Sequence, residues 1–225
     1  MGLFLDEEAL LAASTFPIPP AELVARAKRI LAKGVHRCQD QLAQDFNFSA
    51  PFIGPLGKKA FASTMEELGL EQAFPDLQPR IYDVRVDPLE PNRVWLTTRP
   101  VGRQMGYLRA RSFAPLPPSG KLVESPPQTS SLVFNKQGLV VAFTLGYVMD
   151  RRVGNTGGLG GAFGMLWAIG VPFPYPEGKP WESSWQQRLF NRGGALFQAA
   201  AFVADRLMGG LLPSRMTTAH LRNSS

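Results

Sequence analysis

The sequence predicts an α+β fold in which a strongly curved, mostly antiparallel sheet packs on N-terminal helices. Three observations indicate this class: helical periodicity between residues 23 and 38, alternating strand-like segments between residues 80 and 149, and a short turn at residues 136–138. Helices that precede a run of consecutive strands are typical of α+β domains rather than of βαβ architectures.

Two helices are expected before the strands. Apolar residues from Leu23 to Cys38 recur at helical spacing and form one face, and a second amphipathic helix is predicted over residues 58–68. Ahead of them, the prolines between residues 17 and 20 stop any helix that begins near Glu7. We therefore treat residues 1–21 as a lead segment and residues 22–153 as the main domain.

Five strands are predicted, over residues 80–87, 93–101, 107–113, 129–135 and 139–149. Lys136-Gln137-Gly138 is a hairpin signal, so residues 129–149 should supply the longest strands. In the last strand, alternation places Phe143, Leu145 and Tyr147 on one bulky face. A glycine-rich loop at residues 154–164, a proline-rich turn and a helix over about residues 184–208 form the extra C-terminal extension, residues 154–225.

Composition excludes several classes of protein. One cysteine rules out an internal disulfide framework and any multi-cysteine metal site, and two histidines leave little for zinc chemistry. The net charge of +6 comes from scattered basic residues, so we predict no nucleic-acid partner. No apolar run approaches the roughly 20 residues that span a bilayer. We expect no cofactor, no metal, no transmembrane segment, and a soluble or peripheral protein of the cytoplasm or a plastid whose targeting segment is not visible.

Several short motifs follow one another in a familiar order. They are Asp45-Phe46-Asn47-Phe48, Gly54-Pro55-Leu56, Ala73-Phe74-Pro75-Asp76-Leu77, Asn92-Arg93-Val94-Trp95 and Pro118-Ser119-Gly120-Lys121, and the last strand ends in Met149-Asp150. Over residues 22–165 the chain resembles the SnoaL-like polyketide cyclase family, within the cone-shaped superfamily named after nuclear transport factor. The resemblance implies a cone-shaped half-barrel with an apolar pocket. The glycine-rich loop and tail are similar to uncharacterised SnoaL-like proteins of algae.

The resemblance also implies a candidate catalytic residue. In these cyclases an aspartate at the end of the last long strand is the acid–base, and Asp150 holds the matching position. Arg151 and Arg152 follow it directly, and a guanidinium beside a carboxylate holds it ionised. A structural ion pair, an acid–base and a ligand contact therefore all remain open for Asp150.

Aromatic and basic side chains along the strands form a candidate ligand-binding set. Arg93, Trp95, Thr97 and Arg99 share one face of their strand, and the strand that begins at Tyr107 is expected beside it. Such a cluster could bind an acidic or conjugated ligand, and it could equally be a solvent face or a protein interface. The candidate ligand-binding residues are Tyr82, Trp95, Arg99, Tyr107 and Tyr147.

The C-terminal extension carries more large apolar groups than a free loop should expose. We predict that it is an interface with a protein partner or with another copy of the chain. Its candidate interface residues are Phe163, Trp167, Trp181, Trp185, Phe190 and Phe197.

Because no complete catalytic set is visible, the sequence favours a protein that is not an enzyme. We predict a non-catalytic protein that binds a small apolar or conjugated molecule in its apolar pocket, or that acts as a scaffold. One alternative is an accessory subunit of a larger assembly, such as a plastid photosynthetic complex, docked through the extension. A second alternative is a cyclase or isomerase that uses Asp150.

Overall fold

The computed structural model of the chain describes residues 2–110, 113–171, 173–189, 191, 203 and 206. Contacts divide the chain into two compact units, Met1–Pro180 and Trp181–Ser225. The predicted boundary between residues 153 and 154 falls inside the first unit. In the second unit residues 185–189 and 191 are helical, and most of the helix predicted over residues 184–208 lies outside the described residues.

The helices of the first unit lie mainly at its beginning and end. In the described residues they are α1 (Glu7–Ala12), α2 (Pro20–Lys33), α3 (Lys58–Leu68), α4 (Leu70–Ala73) and α5 (Gly161–Ile169), with 3-10 turns at Val35–Arg37, Gln39–Gln41 and Pro176–Gly178. Helix α2 begins at a proline because the first helical position needs no N–H donor. It ends before Gly34, whose φ of 86° a helix cannot accommodate, so the helix predicted through Cys38 is shorter than expected.

Ten strands follow the order of the chain in the described residues. They are β1 (Leu42–Ala50), β2 (Ile53–Gly57), β3 (Tyr82–Val86), β4 (Arg93–Thr98), β5 (Val101–Arg103), β6 (Leu108–Ala110), β7 (Phe113–Leu116), β8 (Leu122–Glu124), β9 (Gln128–Phe134) and β10 (Val140–Val148). Six of them form one sheet in the order β2-β1-β10-β9-β4-β3, while β5 pairs with β8 and β6 with β7. Only the β1–β10 pair of that sheet is parallel. The predicted α+β class and curved, mostly antiparallel sheet are confirmed, and the sheet is not a closed barrel.

The main core lies between the six-stranded sheet and helices α2 and α3. Leu23, Ala27 and Ile30 of α2 are buried against strand residues such as Leu132 and Phe134. Four phenylalanine rings fill the region beside α3, with centroids 4.7–5.9 Å apart: Phe46, Phe48, Phe61 and Phe143. This part of the helix-facing side is therefore packed core, not an open apolar pocket.

A second core cluster involves α5. Met165, Leu166 and Ile169 are buried with Phe74 and Val123. The prediction of a loop through Gly164 is wrong, because a helix begins at Gly161. The glycines of this segment hide the apolar periodicity of the helix. Gly164 is required by close packing, because an added Cβ would lie 2.3 Å from the Leu159 carbonyl oxygen.

Two details of the strands differ from expectation. Strand β1 has nine residues, as many as β10 and more than the seven of β9, so the hairpin does not supply the two longest strands. Strand β6, which follows Tyr107, pairs with β7 and lies outside the six-stranded sheet. The chain between β4 and β9 builds these two small sheets instead of continuing the main one.

A bulge in β10 changes which side chains share a face. The register shifts between Thr144 and Tyr147, and Gly146 within it has a φ of 88°. Such an insertion moves every later side chain to the opposite face. Tyr147 therefore lies on the face opposite Phe143, contrary to the simple alternation of the sequence.

Candidate functional site

The site we consider first is the side of the six-stranded sheet that points away from α2 and α3, which we call the open face. Strand register defines it, because directly opposed residues share a face. Tyr82 is opposite Thr97, Thr97 is opposite Thr129, and Thr129 is opposite Tyr147. We call these four residues the tyrosine row. It crosses β3, β4, β9 and β10 and has one tyrosine at each end.

A second row lies beside the first and contains Trp95. Here Arg85 is opposite Trp95, Trp95 is opposite Ser131, and Ser131 is opposite Thr144. The sheet thus brings together Tyr82, Trp95 and Tyr147, three of the five candidate ligand-binding residues. The strands that carry them are brought together by the pairings of β3 with β4, of β4 with β9 and of β9 with β10.

Polar contacts fix the orientation of Trp95. The Arg93 guanidinium lies 5.1 Å from the centre of the indole ring, and it donates to Ser131 Oγ at 2.8 Å. The indole Nε1 donates to Asp87 Oδ2 at 2.6 Å. Burial alone would raise the pKa of Asp87, but the hydrogen bonds from Trp95 and from two backbone N–H groups lower it overall. A cation and an ionised carboxylate therefore hold the ring in one position.

The open face is rimmed by large side chains that reach solvent. Tyr82 is 49% exposed, Tyr147 is 43% exposed, and Met149, two residues after Tyr147, is 59% exposed. Between them Thr97 is buried, and its hydroxyl lies 3.9 Å from the Met149 sulfur. The result is a surface with a polar, ordered centre and an apolar rim.

The other two candidate ligand residues lie elsewhere. Arg99 is exposed just beyond the end of β4, and its backbone N–H donates to the Pro79 carbonyl. Tyr107 is 57% exposed and precedes β6. The expectation that the strand after Tyr107 lies beside β4 is wrong, because β3 and β9 occupy the two sides of β4.

Asp150, the candidate acid–base, forms an ion pair. Its carboxylate accepts from Arg152 Nε and Nη2, each at 3.0 Å, and from the Arg152 backbone N–H at 3.0 Å. These hydrogen bonds lower the pKa of Asp150 to about 2. A carboxyl group with this pKa is ionised at neutral pH and is a poor proton acceptor in that range.

The candidate interface residues divide between the two units. On α5, Phe163 packs its ring against those of Phe52, Phe173 and Tyr175 at 4.7–6.2 Å, and Trp167 is partly buried. In the second unit Trp181 is 55% exposed and Trp185 is 63% exposed. Phe190 and Phe197 lie outside the described residues.

Sequence reasoning missed a group of polar residues on the helix-facing side, which we call the polar strip. It consists of Thr98, Gln128 and Ser130, all at most 6% exposed. Thr98 is opposite Gln128, and Leu96 is opposite Ser130. Gln128 Oε1 accepts from the Gly161 N–H at the start of α5, whereas the hydroxyls of Thr98 and Ser130 have no hydrogen-bond partner among the described residues. The sequence could have indicated this strip through two strand faces that are apolar at one end and polar at the other. They are Val94-Leu96-Thr98 and Gln128-Ser130-Leu132.

Within the described part of the chain, no group of three or more His, Cys, Asp and Glu side chains is arranged to hold a metal ion. Among the same residues, no helix has both the length and the apolar character needed to cross a bilayer.

No family model and no curated protein matches the chain. Solved structures resemble it at low identity. One is a protein from Jannaschia sp. CCS1 described as a SnoaL-like polyketide cyclase, with 17% identity, a TM-score of 0.49, and coverage of 71% of this chain and 96% of that one. AclR from Streptomyces galilaeus, described as a hydroxylase, has 18% identity, a TM-score of 0.43, and coverage of 93% and 98%. IdmH from Streptomyces antibioticus, described as a polyketide cyclase, has 14% identity, a TM-score of 0.40, and coverage of 56% and 88%.

The SnoaL-like polyketide cyclase family, which the sequence motifs resemble, also appears in the descriptions of these structures. At such identities and TM-scores the activities named for them belong to those proteins alone, and the fold class rests on the sheet and helices described above. The resemblance to algal proteins stays a prediction.

Proposed function

We propose that this chain is a non-catalytic scaffold protein with a SnoaL-like fold, whose open face binds a second copy of the chain. The observation that carries the proposal is the tyrosine row, which reads Tyr82, Thr97, Thr129, Tyr147 across four strands. In an isologous dimer the same patch of two copies meets across a two-fold axis, so that Tyr82 of one copy would contact Tyr147 of the other and Tyr147 would contact Tyr82.

The residue types of the open face support a protein partner. Tyrosine, tryptophan, methionine and arginine are enriched at protein interfaces, and Tyr82, Trp95, Met149 and Arg93 all lie here. The centre of the patch is ordered before binding, because Trp95 and Ser131 are held by hydrogen bonds. Little side-chain freedom would be lost at that centre on association.

The shape of the open face is less suited to a small molecule. Small-molecule sites are usually concave and bury most of the ligand, whereas the open face is one side of a sheet. A conjugated ligand on Tyr82, Trp95 and Tyr147 would leave one of its own faces in water. The five candidate ligand-binding residues are therefore divided between a proposed protein contact and two separate exposed positions, those of Arg99 and Tyr107.

The ion pair of Asp150 supports the non-catalytic part of the proposal. An acid–base in a cyclase needs a pKa near the working pH. The contacts from Arg152 lower the pKa of Asp150 to about 2 instead of raising it. Asp150 is thus proposed to stabilise the turn that follows β10.

A second candidate function, the binding of a small molecule inside the domain, is favoured by the polar strip. Thr98 and Ser130 bury hydroxyl groups that have no partner in the part of the chain that the structure describes, which costs about 1–3 kcal/mol for each group in the absence of a ligand or water. A ligand with one polar group and an apolar body would satisfy both hydroxyls. This site would keep the apolar-pocket prediction but move it to residues that the sequence did not single out.

The C-terminal extension is a further proposed contact. Trp181 and Trp185 expose more than half of their surface, and exposed tryptophans are characteristic of binding surfaces. An accessory role in a larger assembly, plastid or otherwise, would use these residues together with the open face.

The test compares the full chain with the double variant Tyr82→Ala/Tyr147→Ala. Light scattering after size-exclusion chromatography should give a concentration-dependent dimer for the wild-type chain. Dimerisation should weaken about tenfold or more in the double variant, because interface tyrosines are frequent hot spots. The matched control is Tyr107→Ala, which removes an equally exposed tyrosine outside the sheet and should leave dimerisation unchanged.

Two results would contradict the proposal. One is a wild-type chain that stays monomeric up to millimolar concentration. The other is a dimer that the Tyr107→Ala variant weakens as much as the double variant does. A dimer that persists in the double variant but is lost when Trp181 and Trp185 are changed to alanine would assign the contact to the extension instead.

A further inference from the structure

A basic cleft lies at the C-terminal end of α2, away from the six-stranded sheet's open face. Its volume is about 260 Å³, and its walls include Arg26, Arg29, Lys33 and Arg37. Arg26, Arg29 and Lys33 are spaced three and four residues apart on α2, so they share one side of the helix. The 3-10 turn Val35–Arg37 supplies Arg37 to the lining of the cleft.

The floor of the cleft is apolar. Ile30 and Cys38 are each 4% exposed, and the Cys38 thiol lies 3.9 Å from the Ile30 carbonyl oxygen. Burial raises the pKa of the Cys38 thiol, so it stays neutral and adds no negative charge. The cations therefore line a cleft whose floor does not compete for them.

The arginines keep donors available for a ligand. Glu22 Oε1 accepts from Arg26 Nε at 2.8 Å and from Arg29 Nη2 at 3.1 Å, and Glu71 accepts from Arg37 Nη2. Each contact uses one nitrogen of its guanidinium, while an arginine side chain carries several N–H donors. Lys33 has no carboxylate partner at ion-pair distance among the described residues, and its ammonium group is exposed.

The cleft is also lined by a carboxylate and a side-chain amide. The Asp40 carboxylate accepts from Gln41 Nε2 at 2.7 Å, and both residues line the cleft. Asp40 would repel a bare multivalent anion, but it is a good acceptor for hydroxyl groups. In addition to the Gln41 hydrogen bond, Lys33 is close enough to Asp40 to contribute to lowering its pKa, so the arrangement suits a molecule that carries an anionic group and a hydroxyl near each other.

We propose that this cleft binds a small phosphate ester of a polyhydroxyl compound, with the phosphate held by Arg29, Lys33 and Arg37 and a hydroxyl donating to Asp40. Arginine binds phosphate oxygens through paired N–H donors, and lysine adds a point charge. The volume of the cleft is close to the lower limit of small-molecule sites, which favours a compact ester. The inference does not depend on association through the open face.

The test uses the full chain and isothermal titration calorimetry at constant ionic strength, with glucose 6-phosphate, inorganic phosphate and glucose as probes. Glucose 6-phosphate should bind more tightly than inorganic phosphate, and glucose should not bind. Lys33→Gln should weaken the binding of glucose 6-phosphate about tenfold, the usual effect of losing one charge-assisted contact. Lys59→Gln, which removes an exposed lysine from the start of α3, should leave binding unchanged.

Asp40→Asn distinguishes the proposed hydroxyl contact from the phosphate contacts. It should bring the affinities for glucose 6-phosphate and inorganic phosphate closer together, because the hydroxyl contact weakens and repulsion of the bare anion is relieved. The proposal is overturned if glucose 6-phosphate does not bind, if glucose binds equally well, or if Lys33→Gln and Lys59→Gln have the same effect. Lys33 is exposed at the end of α2, and circular dichroism would verify that its variant is folded.

Discussion

The two sides of the six-stranded sheet use different side chains and satisfy them differently. On the helix-facing side, Phe48, Phe61 and Phe143 pack their rings within 6 Å of one another, while Thr98 and Ser130 bury hydroxyls that no described residue pairs. On the open face the hydroxyls of Ser131 and Thr144 lie 2.8 Å apart, and the large groups form an exposed rim. The difference teaches that the first side holds the domain together, whereas the second is ordered but uncovered.

The substitution with the largest expected effect on stability is Phe61→Ala, on the helix-facing side. Phe61 is 1% exposed and contacts three other phenylalanine rings, so its removal leaves a cavity in the core. We expect a loss of about 3–5 kcal/mol in the free energy of unfolding. Urea unfolding followed by circular dichroism measures it.

Tyr82→Ala is the matched change on the open face. Because half of Tyr82 is already exposed, its loss should cost the isolated chain about 1 kcal/mol or less. Equal destabilisation by Phe61→Ala and Tyr82→Ala would show that the two sides do not differ as described.

Local patterns in the sequence predicted the elements whose contacts are local. Helix α3 spans residues 58–68 as expected. The hairpin between β9 and β10 is closed by a hydrogen bond from the Asn135 N–H to the Leu139 carbonyl oxygen. Helix α5 was missed because its glycines obscure the apolar periodicity. Its helical state depends on Met165 and Ile169 packing in the second cluster. A propensity argument cannot anticipate that tertiary contribution.

The candidate site was predictable in its residues but not in its geometry. Tyr82, Trp95 and Tyr147 stood out as aromatic groups on strands, yet their common face depends on pairings between distant strands. Alternation placed Tyr147 with Phe143, and the bulge at Gly146 reversed that placement. The polar strip escaped notice because a single threonine or serine at the end of an apolar face is unremarkable until its partners are known.

A pair of threonine substitutions sharpens the comparison at the level of single hydroxyls. Thr98→Val removes an unpaired hydroxyl from the helix-facing side and should raise the free energy of unfolding by about 1 kcal/mol. Thr144→Val removes a paired hydroxyl from the open face and should lower it by about 1 kcal/mol. Thermal and urea unfolding of the two variants under identical conditions measure both signs.

The sign of the Thr98→Val effect also bears on the second candidate function. A loss of stability would mean that the Thr98 hydroxyl has a partner in solution, either water or a bound molecule. That result would favour a small-molecule site at the polar strip and weaken the case for a purely structural helix-facing side.

The smallest expected effect concerns Asp150, at the end of β10. Its pKa in the folded chain is about 2, below the ordinary value of 3.8, because Arg152 donates to the ionised carboxylate. A lowered pKa contributes stability that is present above pH 4 and is lost as the pH falls toward 2. Asp150→Asn should therefore lower the free energy of unfolding slightly at pH 6 and have progressively less effect between pH 4 and 2. The effect is small because Arg152 is 86% exposed and solvent screens the pair. Urea unfolding from pH 2 to 6 measures the difference, and Asp76→Asn, which removes the charge of a carboxylate that accepts from the Arg103 backbone N–H, serves as a carboxylate comparison. A carboxyl pKa above about 6 for Asp150, measured by NMR titration, would instead return this residue to the acid–base role, because that role needs a pKa near the working pH.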